Sequence, residues 1–104
     1  MEKNKTNIFS KEGFWQEVFE IAKWYEDEVY GLGDKFLSEI DEAIKKVKQH
    51  PTAFATIKKN STIRRYFIKR YSHKLYYSYQ STTIVLLAVI HKSRSNKFVS
   101  RRLR

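Results

Sequence analysis

The sequence predicts an α+β domain of two layers: an N-terminal antiparallel helix hairpin packed on a C-terminal antiparallel β-meander of three strands. A fourth strand is available from the N-terminus, at residues 5–9. Three observations carry this reading. Apolar residues recur at three- and four-residue steps from Phe14 to Val47, β-branched and aromatic runs separated by short breaks follow Ile63, and all acidic residues lie at or before Glu42. A chain of 104 residues has room for one core, so residues 1–104 are expected to form a single domain.

The first helix follows Ser10, with a stripe of Phe14, Trp15, Val18, Phe19, Ala22, Tyr25 and Val29. Ser10 is placed to cap its first turn, and Glu12 sits near the positive end of the helix dipole. Gly31-Leu32-Gly33 breaks the pattern. A second helix then carries Phe36, Leu37, Ile40, Ile44 and Val47, with Asp34 in or just before its first turn. It stops at His50-Pro51, because a proline disfavours helical geometry in the residue before it. Residues 51–62 read as a connection with room for a short helical turn. The strands are expected at 63–70, 74–80 and 83–90, and breaks of two or three residues allow only hairpins between them. The last strand, apolar on both faces, belongs in a covered position.

Charge is divided along the chain. Residues 1–42 hold five lysines against eleven acids, a balance of −6, while residues 43–104 hold 16 Lys and Arg and no acid. The expected spatial consequence is acidic helices behind and a basic sheet face in front, gathering Arg64, Arg65, Lys69, Arg70, Lys74 and the C-terminal tail. Such a face attracts polyanions.

Several chemistries are disfavoured. There is no cysteine, which removes disulfides and thiol nucleophiles and fits a reducing cytoplasm. The opening MEKNKTN lacks the apolar core of a signal peptide, and IVLLAVI at 84–90 is far too short for a membrane span. The three histidines, at 50, 73 and 91, match no metal-ligand spacing, and the glycines at 13, 31 and 33 form no phosphate loop. No metal and no cofactor is therefore expected. A serine triad needs a carboxylate beside a histidine, and with every acid at or before Glu42 that chemistry ranks low. A basic face interleaved with aromatics is a better candidate: Arg65, Lys69, Arg70, Tyr71, Tyr77, Tyr79, His91 and Arg94 are expected on one concave sheet surface. Cross-strand packing is the commoner role for such tyrosines.

The order WYEDEVYGLGDKFLSEIDEAI, HP, IRRYFIKRYSHKLYYSY and IVLLAVIHKSRS resembles the RelE/ParE superfamily of type II toxin–antitoxin toxins, over roughly residues 10–104. The helix-hairpin segments WYE and GLGDKF are closer to the ParE, or plasmid-stabilisation, side. The resemblance implies a cytoplasmic, growth-inhibiting toxin neutralised by an acidic, partly disordered antitoxin encoded beside it, with no membrane or small-molecule cofactor involved. Its target is DNA gyrase or the ribosome and its translated mRNA. As a ribosome-dependent endoribonuclease it would use His91 as acid or base, with Arg65 and Arg94 stabilising the phosphate; as a gyrase poison it would have no catalytic residues. Target or nucleic-acid contact would fall to Arg64, Lys69, Arg70, Lys74, Tyr77, Lys97, Arg101 and Arg102. The chain departs from the endonuclease pattern in having no tyrosine after Tyr79 and no carboxylate after Glu42. The alternative from another class is a non-toxic, basic nucleic-acid-binding module.

Overall fold

The computed structural model describes residues 6–103. In chain order the elements are β1 (Asn7–Ser10), α1 (Phe14–Glu28), α2 (Leu32–Gln49), β2 (Ile63–Phe67), β3 (His73–Gln80), β4 (Thr83–His91) and α3 (Asn96–Arg102). The α+β class, the helix hairpin and the three-stranded meander are those the sequence predicts. The fourth strand is β1; residue 5 of its expected range lies outside the described residues.

Two elements differ from expectation. Ser10 is the last residue of β1 and caps nothing: α1 starts behind Gly13, whose φ of +87° is the left-handed region that glycine enters without steric cost. The basic C-terminal segment is a helix. Ser95 caps it, its Oγ accepting the Phe98 N–H at 3.1 Å.

The sheet order is β1-β4-β3-β2, with β1 parallel to β4 and the other pairs antiparallel. A two-residue turn, Ser81-Thr82, joins β3 to β4 with both residues at positive φ, 51° and 57°. Such turns match the right-handed twist of the flanking strands. One β-bulge interrupts the β3–β4 ladder: Tyr77 faces Leu86 but Tyr76 faces Ala88, so Leu87 is the extra residue.

Both sheet faces are covered. The helix hairpin lays Phe14, Val18, Phe36, Ile40 and Val47 on Leu75, Tyr77, Ile84, Leu86 and Val89. On the opposite face Tyr76, Ala88 and Ile90 form a second, smaller core closed by Ile57 of the 51–62 connection and Val99 of α3. The expectation of an open basic front is corrected here. Strands apolar on both sides must bury both, and α3 supplies part of the second cover.

The helix hairpin is locked at its hinge. Glu26, near the end of α1, accepts the backbone N–H groups of Gly31 and Gly33 through its two carboxylate oxygens, at 2.8 and 2.9 Å. These are donors at the N-terminus of α2 that have no partner within the helix, and the dipole there favours a negative charge. Gly33 allows the approach: a Cβ at that position would lie 2.6 Å from the Ala22 carbonyl oxygen.

Candidate functional site

The alternation of β2 separates its two arginines. Arg64 stands opposite Tyr77 on the helix side, and its Nη1 donates to the carbonyls of Thr52 and Phe54 at 3.3 and 2.7 Å. Arg65 stands opposite Tyr76 on the outer face, and its Nη1 donates to the Thr56 carbonyl at 3.1 Å. Both guanidinium groups thus tie down the 51–62 connection. Lys74 shares the outer face with Arg65. Its ammonium lies 4.9 Å from the centre of the Phe67 ring, and burial together with the Arg65 charge lowers its pKa.

The tyrosines expected on a concave basic face are packing residues. Tyr77 is fully buried on the helix side, where its hydroxyl donates to the Pro51 carbonyl at 2.8 Å; burial pushes its pKa up to about 12, against an opposing pull from Arg64. Tyr71 and Tyr79 pack against the same core. Lys69 and Arg70 are exposed in the β2–β3 turn, and Lys97 and Arg101 are exposed on α3.

His91 and Arg94 line one groove, and His91 also faces a residue the sequence did not single out. His91 is paired across the ladder with His73, their ring centres 5.3 Å apart at an interplanar angle of 80°. The Nδ1 of His73 is hydrogen-bonded to the Tyr25 hydroxyl at 3.0 Å. The Nδ1 of His91 accepts the Ser93 N–H at 3.1 Å and lies 2.8 Å from the Ser93 hydroxyl. With Nδ1 accepting, a neutral His91 carries its proton on Nε2. His73 is half-buried, and burial lowers its pKa, helped by the neighbouring His91 and opposed by Glu17. Arg94 lies with its guanidinium carbon 4.6 Å over the Phe98 ring, in the groove that His91 also lines. Of the three residues expected to act together, His91 and Arg94 share this groove while Arg65 points to the opposite face of the sheet.

An acid stands among these basic groups. Because β1 pairs only with Thr83–Leu86, one edge of β4 is uncovered beyond that point. Glu17 reaches across from α1 to fill it: its Oε1 accepts the Val89 N–H at 3.0 Å and its Oε2 pairs with Arg102 of α3. The picture of acids kept behind the sheet is corrected by this residue. Its contacts span 72 and 85 positions of sequence, a separation that no local pattern signals. Among the described residues no group of three or more His, Cys, Asp or Glu is placed to hold a metal ion, and no helix is long and apolar enough to cross a membrane.

The model of a protein family, the ParE toxin of type II toxin–antitoxin systems (parDE), matches residues 9–96. The chain belongs to the ParE toxin family. A solved structure described as a chromosomal ParDE toxin–antitoxin system from P. aeruginosa matches with a TM-score of 0.59 at 12% identity, covering 83% of this chain and 95% of that one. At that identity the likeness is one of fold. No curated protein matches the chain.

In this ParE family member the segments that carried the resemblance are structural. Within WYE, Tyr25 holds His73 and Glu26 caps α2; within GLGDKF, Gly33 permits the helix contact and Phe36 fills the core. Most of α3 lies beyond the matched span, so the Phe98, Val99 and Arg102 contacts are features of this chain outside the family match.

Proposed function

We propose that this protein is the toxin of a type II toxin–antitoxin pair that arrests growth by acting on DNA gyrase, and that a cognate antitoxin with an acidic, partly disordered segment neutralises it. The observation that carries the reading is the ParE family match over residues 9–96. As a gyrase poison the protein acts by binding, which fits a chain whose expected trio of Arg65, His91 and Arg94 is split between two sheet faces. The antitoxin reading rests on complementarity. Residues 43–104 hold no acid and expose Phe67 and Phe98 beside Lys74 and Arg94, a combination suited to an acidic amphipathic segment that folds on docking.

A second target, translated mRNA, has one observation in its favour: two histidines and an arginine lie close together at the end of β4. The two targets separate in vitro. Purified protein added to gyrase with relaxed plasmid is expected to block supercoiling, and added to translating ribosomes is expected to leave messages intact. The reverse pair of results selects mRNA cleavage. Harmless expression without an antitoxin, together with steeply salt-dependent binding to any nucleic acid, selects the plain nucleic-acid-binding module.

A further inference from the structure

Beside the uncovered part of β4, the side of α1 and the ends of β3 and β4 enclose a cleft of about 440 Å³ lined by Ile21, Trp24, Tyr25, Ser72, His73 and His91. Its volume falls in the range of small-ligand sites. Past Trp24 and His91 it runs into a groove of about 390 Å³ that reaches Arg94 and Phe98. The cleft is on the helix side of the sheet, away from the outer face of Arg65 and Lys74.

The cleft supplies aromatic rings and two histidines, and the adjoining groove supplies a cation, Arg94. Trp24 is 57% exposed although it sits on a helix with room to bury apolar residues, and its indole stands edge-on to Tyr25 with ring centres 5.1 Å apart. Both histidines use Nδ1 within the protein, which leaves Nε2 as the atom able to bond a ligand. Arg102 is neutralised by Glu17, whereas Arg94 has no carboxylate partner among the described residues. Glu17 and Glu20 line the opposite, α1 side of the groove. With Glu17 paired to Arg102, Glu20 is the acid that disfavours an anion at the α1 side, and Arg94 is the cation that draws one to the His91 end.

We propose that this cleft binds an unpaired, phosphorylated nucleotide, its base against Trp24 and its phosphate at His91 and Arg94. An aromatic wall beside a cation is the arrangement that holds single-stranded nucleic acid, because an unpaired base has a free face to stack while a base within a duplex does not. Single-stranded DNA and single-stranded RNA share this chemistry. The inference does not depend on the choice of gyrase or mRNA as target, and it concerns residues outside the basic set expected from the sequence, His91 and Arg94 excepted.

The test is equilibrium binding of purified full-length protein to labelled six-nucleotide DNA and RNA oligomers and to a short duplex, at fixed salt. A single strand is expected to bind at least about tenfold more tightly than the duplex. Trp24→Ala is expected to weaken it by about tenfold or more, as loss of one base–aromatic stack would. Arg94→Ala is expected to weaken binding and lower its salt dependence by about one ion. Trp15→Phe leaves Trp24 as the only indole, since the chain has two tryptophans, and its fluorescence is expected to be quenched on saturation. Comparing the DNA and RNA arms identifies the source of the nucleotide. Equal affinity for duplex and single strand, or unchanged binding by a folded Trp24→Ala protein, would mean that net charge alone drives association and would overturn the proposal, as would no saturable binding at all. Because the assay contains no gyrase or ribosome, its failure leaves the toxin reading standing.

Discussion

Glu17 on α1 and Arg102 on α3 form an ion pair across 85 positions of sequence, and the same carboxylate accepts the Val89 N–H on the uncovered edge of β4. One side chain thereby joins the first helix, the last helix and the sheet. Glu17→Gln keeps an oxygen for Val89 but loses the charge facing Arg102, and an ion pair this exposed contributes about 0.2–1 kcal/mol. Glu17→Ala also leaves the Val89 N–H without its partner, raising the expected loss to roughly 1–3 kcal/mol. Urea denaturation of the two variants should place alanine clearly below glutamine. Equal losses would show that the backbone bond contributes nothing.

Gly33→Ala tests the helix hinge. By intrinsic propensity alone, alanine inside a helix stabilises by about 1 kcal/mol over glycine. Here its Cβ would sit 2.6 Å from the Ala22 carbonyl oxygen and 3.0 Å from Glu26, so the helices must move apart or the cap on α2 must break. The contact is with backbone, which yields little. A net destabilisation of roughly 1–3 kcal/mol is expected, read as a lower thermal midpoint. A higher midpoint would show that the helices separate freely.

The Ser81-Thr82 turn offers a change in the opposite direction. Thr82 is β-branched yet holds a φ of 57°, in the left-handed region that costs a residue with a Cβ about 1–2 kcal/mol. Asn-Gly is the pair best suited to a two-residue hairpin turn with both φ values positive. The double substitution Ser81→Asn, Thr82→Gly is therefore expected to raise stability by about 1 kcal/mol, less whatever the Thr82 hydroxyl bond to the Ser81 carbonyl contributes. Calorimetry of the two proteins decides the sign.

His73 makes stability depend on pH. Its pKa in the folded protein lies below the ordinary 6.5, chiefly because burial penalises the charged ring, with His91 adding repulsion and Glu17 opposing. The unfolded chain therefore takes up its proton first as the pH falls. The contribution of the neutral ring is fully present above 6.5 and is lost as the pH drops through the lower folded value. Denaturation midpoints are expected to fall on acidification from pH 7 towards 5, and His73→Gln is expected to flatten that slope. An unchanged slope in the variant would show that His73 does not carry the loss.

Much of the fold was legible because it depends on local periodicity. The three- and four-residue apolar steps place both helices, Pro51 marks the end of α2 within two residues, and β4 has apolar residues for both faces of a covered strand. The width of the α1 stripe misled: Phe14, Val18 and Ala22 are buried, while Trp15 and Phe19 are exposed. A helix face meets its partner along a narrower line than its apolar residues suggest. The C-terminal helix was hidden by its charge, since only Val99 is buried and no full amphipathic repeat fits in seven residues.

The sequence by itself determined the class of the protein, its helix hairpin, its meander and the charge division between Glu42 and Ala43. Tertiary structure decided which side chains share a site. Carried on from the Ser81-Thr82 turn without interruption, the ladder would set Ile90 opposite His73; the single bulge at Tyr76 and Tyr77 advances the register by one residue and brings His91 there instead. Because side chains alternate between the faces of a strand, a one-residue shift exchanges those faces, so that bulge selects His91 as the partner of His73 and sends Ile90 to the second core. The alternation of β2 sends Arg65 the other way. Composition and spacing fix the parts of such a sheet, but register is set by packing summed over both its faces.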